Sequence, residues 1–372
     1  MRALIAESPG RLVLDEVPVP PCPSDGLLVR NHVTAVSSGT EQLMLHGRGG
    51  VEDAKHPGWP QVGGFGYLGA GEVTEVGRDV RGFSPGDRVA CGRVWGMHRE
   101  VVDVPAHSAL HLPDAVGFRD GACSYWAVPP MAGIIAARPR PPGELAAVLG
   151  LGPLGLAAVE LLIAAGHSVL AIDPIGHRRE LAAGRGAVPL TPAEARGRSE
   201  RGDDLPAVLL EVSGSQAGLE LALELAAPLA RVVLVGVLPP LDDVDLHWPM
   251  QVKGVKILPI ARPSAASPEG GGPGSPRNAY LPTVLRWLAD GHLDLAGACT
   301  WVVPPDRAPH AFELLHQAPE RLTGLAIAWE GSCTAIDGFE ENLRAHRSSR
   351  RSATVGDVAR SHERPPVGHP GS

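Results

Sequence analysis

Residues 145–173, LAAVLGLGPLGLAAVELLIAAGHSVLAID, set an apolar run, a glycine cluster, a helix-like stretch and a second apolar run end to end. Two such runs flanking a helix describe a strand–helix–strand unit buried on both faces, the building block of a parallel sheet. Gly150, Gly152 and Gly155 stand in G-x-G-x-x-G spacing where the first run gives way to the helix. In that context Gly150 permits the tight turn, Gly152 lets the backbone approach a pyrophosphate, and Gly155 lets the helix pack close to the strand. Pro153 and Leu154 lie between them at the helix N-terminus, where free N–H groups and the helix dipole favour an anion. Asp173 closes the second run, about twenty residues beyond the glycines, as a dinucleotide site expects. A carboxylate there accepts hydrogen bonds from an adenosine ribose and repels a 2′-phosphate, which favours NAD. Arg178 and Arg179 follow closely and could receive that phosphate, so NADP stays open. The competing reading is an α/β domain whose glycines serve only as turn residues; it leaves the agreement of spacing, context and acid unexplained.

The rest of the chain alternates in kind. Residues 1–125 read as mostly β, with short alternating runs such as RLVLDEV, GLLVRNHVTAV, GEVTEVG and DRVACGRV between Pro and Gly turns. Beyond Asp173 come a helix (GHRRELAAGRG), a strand (AVLLEVSG), a helix (QAGLELALELAAP) and the strands RVVLVGVL and VKILPI. Strands alternating with helices imply an α/β fold with a parallel, doubly wound sheet. The low-complexity stretch 263–277 precedes the helix YLPTVLRWLADG, the strand CTWVV, the helix PHAFELLHQ and the strand LAIAW. After residue 330 the chain turns polar and aperiodic and reads as a disordered tail, 331–372.

A net charge of −8 argues against general nucleic-acid binding, which needs basic surface to neutralise phosphates. It gives no attraction to an anionic membrane either. No apolar stretch reaches the length of a spanning helix, and Glu7 interrupts the short apolar run at the N-terminus, so no signal peptide is read and a cytoplasmic protein is expected. Cys22, Cys91, Cys123, Cys299 and Cys333 are scattered with no C-x-x-C pair, which indicates neither a disulfide framework nor a structural zinc site.

With a β-rich domain ahead of the glycine motif, the chain resembles the medium-chain dehydrogenase/reductase superfamily, zinc-type alcohol dehydrogenase group. GAGEVTEVGRDVRGFSPGDRVACG is similar to that family's G-x-V-x-x-V-G…F-x-x-G-D-R-V signature. EVVDVPAHSALHLPD and LEVSGSQAGLELALELAAPLARVVLVG resemble two further segments of it, in the same order. The resemblance implies a GroES-like catalytic domain (1–128), a Rossmann domain (129–262) and a return to the first domain (263–330). It also implies hydride transfer between an alcohol carbon and nicotinamide in a cleft between the domains, and a small-molecule substrate. Ser213, Gly214, Gly236 and Val237 follow strand ends of the Rossmann domain and become cofactor contacts by resemblance. A homodimer is the expected assembly.

The chain departs from the family at its metal. Where zinc-dependent members carry a cysteine, SSGTE has Ser38; where they carry histidine and glutamate, GYLGAGEV has Tyr67 and Leu68. The third ligand position falls near CSYWAV, which holds Cys123 and no carboxylate. Zinc needs several N, S or carboxylate donors in tetrahedral array, so no catalytic and no structural zinc is expected. The S-x-G-T-E form resembles a zinc-lacking branch that includes enzymes similar to bacteriochlorophyllide dehydrogenase. Charge developing on the substrate oxygen must then be met by hydrogen-bond donors. Tyr67 is the first candidate, or else a packed tyrosine filling the vacant metal site. Thr40, where metal-containing members use a hydroxyl relay, is the second, or else a cap for the helix EQLMLHG. Ser38 could bind the substrate oxygen. The function expected is zinc-independent hydride transfer between a nicotinamide cofactor and a secondary alcohol or ketone, with natural-product biosynthesis as one setting. The alternatives are an NADPH-dependent enoyl or quinone reductase and a non-catalytic cofactor-binding protein.

Overall fold

The computed structural model describes residues 1–47, 65–92, 94–140, 143–201, 203–260 and 276–329. The described residues belong to one compact unit, Met1–Cys333; the disordered tail expected over 331–372 lies outside the described residues, as does 263–275.

The chain opens with an antiparallel hairpin of β1 (Arg2–Ser8) and β2 (Arg11–Glu16). The ten-residue β3 (Gly26–Ala35) leads into α1 (Ser38–Leu45). Then come β4 (Leu68–Val76), β5 (Arg88–Gly92), β6 (Val101–Pro105) and β7 (Ala109–His111). Between β4 and β5 the turn expected from Ser-Pro-Gly-Asp is formed: Asp87 N–H donates to the Ser84 carbonyl at 3.1 Å and Ser84 N–H to the Asp87 carboxylate at 2.7 Å. Two helices follow, α2 (Phe118–Cys123) and α3 (Val128–Ala137), joined by the 3₁₀ turn Ser124–Ala127.

The second half alternates. In order it runs β8 (Ala146–Leu149), α4 (Pro153–Ala164), β9 (Val169–Ile172), α5 (Gly176–Gly184), β10 (Val188–Leu190), α6 (Pro192–Glu200), β11 (Val208–Glu211), α7 (Gln216–Leu225), β12 (Arg231–Leu234) and β13 (Lys256–Pro259). It ends with α8 (Pro276–Ala289), β14 (Trp301–Val303), α9 (Ala308–Gln317) and β15 (Leu325–Ala328).

β8 to β13 make one parallel sheet in the order β10-β9-β8-β11-β12-β13. The chain winds outward from β8 in one direction and then, from β11, in the other. The switch point between β8 and β11 is where such sheets bind ligands, beyond their carboxyl ends. Both faces are covered: Val148, Ala171, Leu210 and Val233 point into one core, Ala147, Leu149, Leu209 and Val232 into another. The other sheet runs β14-β15-β3-β4-β5-β7, with β6 also paired to β3. Its strands β14 and β15 come from the end of the described chain, and β15 lies antiparallel against β3 with Ile327 opposite Thr34. The turn Ser124–Ala127 joins the two halves. Trp126, 1% exposed, sits in a core that continues from Ala35 and Ala90 of the first sheet to Val148 and Leu210 of the second.

The structure adds β10 and α6, which the sequence reading passes over, and differs from it in two further features. That reading leaves out α2 and α3, because VPPMAGIIAA is apolar all round and packs against α4, α8 and β12. A helix with no polar face has no amphipathic period to detect, and its two prolines fall in the first turn, where no N–H is needed. The helix assigned to EQLMLHG begins earlier, at Ser38 with Ser37 before it. Thr40 therefore sits inside the first turn and does not cap it.

Candidate active site

The end of β3 and the start of α1 carry a buried polar network. Glu41, 0% exposed, lies in the first turn of α1, where a carboxylate suits the helix dipole. Its Oε1 accepts the backbone N–H of Ser37 at 2.9 Å. Its Oε2 lies 2.9 Å from Nε2 of His98, whose side chain is equally buried. The other ring nitrogen of His98, Nδ1, lies 2.9 Å from Thr34 Oγ1, which also accepts the indole N–H of Trp329 at 2.9 Å. A carboxylate accepts, so His98 Nε2–H donates to Glu41. Thr34 Oγ1 accepts the indole N–H and pairs with Nδ1 at the far side of the ring. Phe65 and Phe312 flank the imidazole, with ring centroids at 5.9 and 6.2 Å.

Above this network stands Tyr67, immediately before β4. Its hydroxyl donates to Ser37 Oγ at 2.5 Å, and Trp95, 46% exposed, meets its ring edge-on at 5.1 Å. Ser38 Oγ is buried and, among the described residues, has no hydrogen-bond partner. Tyr67 therefore meets Ser37, while Ser38 makes no hydrogen bond to it and Thr40 is half-buried further along the first turn. His46 ends α1 and stacks on His316 at 4.0 Å. Trp126 is a core residue; Trp95 alone of the two stands beside Tyr67.

Among the described residues, the donors at these positions do not fit a tetrahedral zinc. Ser38, Tyr67 and Leu68 occupy the positions that the resemblance gives to the metal, and Leu68 is a core residue at 3% exposure. Glu41 and His98 are committed to one another. Cys123 lies against Cys299, and burial together with that neighbouring thiol pushes its own thiol well above the ordinary cysteine range, whereas zinc takes thiolate. Among the described residues no three His, Cys, Asp or Glu side chains converge.

The second sheet offers a nucleotide cradle at its switch point. Gly150 has φ of 91°, and a Cβ on it would lie 2.6 Å from Ser213 N, so the turns after β8 and β11 touch. A Cβ on Gly155 would overlap the Gly150 carbonyl. A Cβ on Gly152 would meet nothing within 4 Å: this glycine faces open space, as approach by a pyrophosphate requires. Gly152 precedes α4 with no side-chain cap, and Pro153 and Leu154 begin the helix. These residues fit a dinucleotide. Asp173, 3% exposed, accepts Leu151 N–H at 2.7 Å and Ile175 N–H at 2.8 Å, so it braces the glycine turn. The Arg178 guanidinium lies 3.9 Å from that carboxylate and donates to the Leu322 carbonyl at 3.1 Å. Arg179 donates to the Asp173 carbonyl at 2.7 Å.

Beside the cradle, Glu211 ends β11 at 0% exposure. It accepts the Ser213 hydroxyl and, at 3.1 Å, Gly214 N–H. Burial, the largest influence, pushes its carboxyl above the ordinary value against the pull of those hydrogen bonds. Gly214 in turn approaches Val237, and Gly236 N–H donates to the Glu211 carbonyl at 2.9 Å. Sequence reasoning missed Ser37, Thr34, His98 as a paired residue, Trp329 and Glu211. Thr34 and Trp329 are 295 residues apart and His98 is 57 from Glu41, so no local spacing joins them. The one available signal was a glutamate in LLEVSG, at the end of an otherwise apolar run.

Comparison with known proteins agrees with this geometry. The profile of the alcohol dehydrogenase GroES-like domain matches residues 23–114, and that of the zinc-binding dehydrogenases residues 153–269. The chain is similar to D-guloside 3-dehydrogenase of Escherichia coli (strain K12), 26% identical over 276 residues that cover 71% of this chain and 77% of the relative. It is similar also to (R,R)-butanediol dehydrogenase of Bacillus subtilis (strain 168), 28% identical over 185 residues, 43% of this chain and 51% of the relative. Among solved structures, alcohol dehydrogenase TADH from Thermus sp. ATN1 superimposes with a TM-score of 0.72 at 25% identity, covering 88% of this chain and 99% of that one. Galactitol-1-phosphate dehydrogenase from Escherichia coli shares the fold, with a TM-score of 0.74 at 20% identity, over 88% of this chain and 100% of that one. Two halves of the right architecture, each matched and in the right order, place the chain in the medium-chain dehydrogenase/reductase superfamily, with the zinc-type alcohol dehydrogenases.

Proposed function

We propose that this chain is a zinc-independent oxidoreductase that interconverts a secondary alcohol and its ketone, with Tyr67 carrying the proton. The observation that carries the proposal is the 2.5 Å hydrogen bond from Tyr67 to Ser37, formed where the family's metal ligands would stand. Guloside and butanediol dehydrogenases among the relatives support an alcohol as substrate. A nicotinamide dinucleotide held by Gly150, Gly152, Gly155, Ser213 and Gly214 supplies or accepts the hydride. Asp173 favours NAD, because Arg178 is occupied by that carboxylate and by the Leu322 carbonyl and is not turned out toward a 2′-phosphate.

The chain's own residues then handle the proton. In alcohol oxidation the substrate hydroxyl donates to Tyr67 Oη. As its proton moves across, Tyr67 passes its own to Ser37 Oγ, and Ser37 gives its hydroxyl proton to water, so one proton reaches solvent for each hydride transferred. Ketone reduction runs the same relay in reverse. Ser38 Oγ is the second donor available to the substrate oxygen, and Thr40 lies next along the turn. The likeness to the zinc-lacking branch of the superfamily accords with this division of labour.

The test is Tyr67→Phe, which keeps the ring against Trp95 and removes the proton. Turnover should fall by about 10²–10⁴-fold, the usual share of a general acid or base, with dinucleotide affinity unchanged. Full turnover in the variant would remove Tyr67 from the mechanism.

A further inference from the structure

We infer that His98 is a positioning residue that clamps both partners of the Tyr67–Ser37 hydrogen bond. The inference rests on the proposed role of Tyr67 as proton carrier. On one side, His98 reaches Ser37 through Glu41: Nε2 holds Oε2 at 2.9 Å, and Oε1 of the same carboxylate holds Ser37 N–H at 2.9 Å. On the other side, the backbone of residues 96–98 is laced to residues 65 and 66, directly before Tyr67. His98 N–H donates to the Phe65 carbonyl at 3.1 Å, and Gly96 and Met97 N–H both donate to the Gly66 carbonyl, at 3.0 and 3.2 Å. The imidazole lies so close to Gly66 that any Cβ there would overlap the ring. His98 thus bears on Ser37 through Glu41 and, by its ring against Gly66 and its N–H on Phe65, on the segment that leads into Tyr67.

The clamp is rigid for two physical reasons. His98 and Glu41 are both fully buried, and a buried polar pair cannot exchange its partners for water without leaving a charge unsolvated. The ring is held at its far end by Thr34, itself held by Trp329, so it cannot swing away from Glu41 without breaking a second hydrogen bond. Where metal coordination would hold such a loop in register, this chain uses a line of directional hydrogen bonds, Trp329–Thr34–His98–Glu41–Ser37. An error of about 1 Å in placing a proton carrier costs on the order of a hundredfold in rate, which is the scale of effect a loosened clamp should produce.

The test uses the full chain labelled with 3-fluorotyrosine. The sequence has three tyrosines, Tyr67, Tyr125 and Tyr280, so the ¹⁹F spectrum is assignable, with Tyr67→Phe identifying the Tyr67 line. In His98→Gln the Tyr67 line should move while the Tyr280 line stays. Turnover should fall tenfold or more with dinucleotide affinity kept within about twofold, and the loss should vanish in the Tyr67→Phe background. An unmoved Tyr67 line, or losses that simply multiply, would overturn the clamp. If His98→Gln does not fold, Trp329→Phe removes the indole N–H and leaves the pair in place. A smaller shift of the Tyr67 line in the same direction then supports the inference, and no shift refutes it. Because the ¹⁹F line is read without substrate, it reports on the clamp even if Tyr67→Phe retains full turnover and the proton-carrier reading falls.

Discussion

Gly66 has φ of 77°, a region that side chains with a Cβ seldom occupy, and the His98 ring fills the space where that Cβ would go. Backbone strain and overlap act together there, so Gly66→Ala should lose about 2–4 kcal/mol, measured by urea unfolding, and should lose turnover as well because Tyr67 is the next residue. Gly152 makes the opposite case. A Cβ there meets nothing, so Gly152→Ala should leave the urea midpoint nearly unchanged while weakening dinucleotide binding in a fluorescence titration; equal affinity would show that no phosphate approaches this glycine. Glu211 gives a pH-dependent expectation. Its carboxyl is raised chiefly by burial, so the folded state holds that proton more tightly than the unfolded chain does. Its contribution to stability is complete below the ordinary glutamate pKa and is lost as pH rises through the raised value. Glu211→Gln removes that loss, so its melting temperature relative to wild type should climb as pH rises above the ordinary glutamate pKa. A difference that stays constant over that rise would contradict the assignment.

At the scale of elements, what was legible in the sequence depended on whether an element's reason for existing is local. β8, the glycine turn and α4 are written in one contiguous stretch: an apolar strand, Gly150 for a turn only glycine makes easily, and a helix whose third glycine lets it lie on the Gly150 carbonyl. Each can be read without knowing the neighbours. α3 cannot, because its apolar sequence is explained by its packing against α4, α8 and β12. The start of α1 was misplaced for a related reason. A Ser-Ser-Gly-Thr run offers several capping hydroxyls, yet no side chain caps this helix; Glu41 reaches back to the Ser37 N–H instead. The candidate site divides in the same way. Tyr67 and Ser38 stood out because a family pattern exists to depart from. His98 and Trp329 carry no such mark, since what places them is tertiary contact.

For the whole molecule, the decisive question is whether a fold shared with zinc-binding dehydrogenases works here without the metal. Protein purified without added zinc should contain far less than one metal per chain by elemental analysis, and turnover should survive a chelator. Near-stoichiometric zinc with activity lost to chelation would return the mechanism to a Lewis acid and leave Tyr67 as packing. The architecture also sets an order of assembly. β8 to β13 are contiguous in the chain, so the parallel sheet can form as soon as it is synthesised. The first sheet is completed later: β3 pairs with β4 and β6 within its own half, but β15, which lies on its other side, arrives nearly three hundred residues later. Trp329, whose indole N–H donates to Thr34, follows directly behind that strand. The line Trp329–Thr34–His98–Glu41–Ser37 is therefore closed from the far end of the described chain, and a ribosome that stops short of β15 releases a chain whose glycine turn after β8 is complete while that line still lacks its last member.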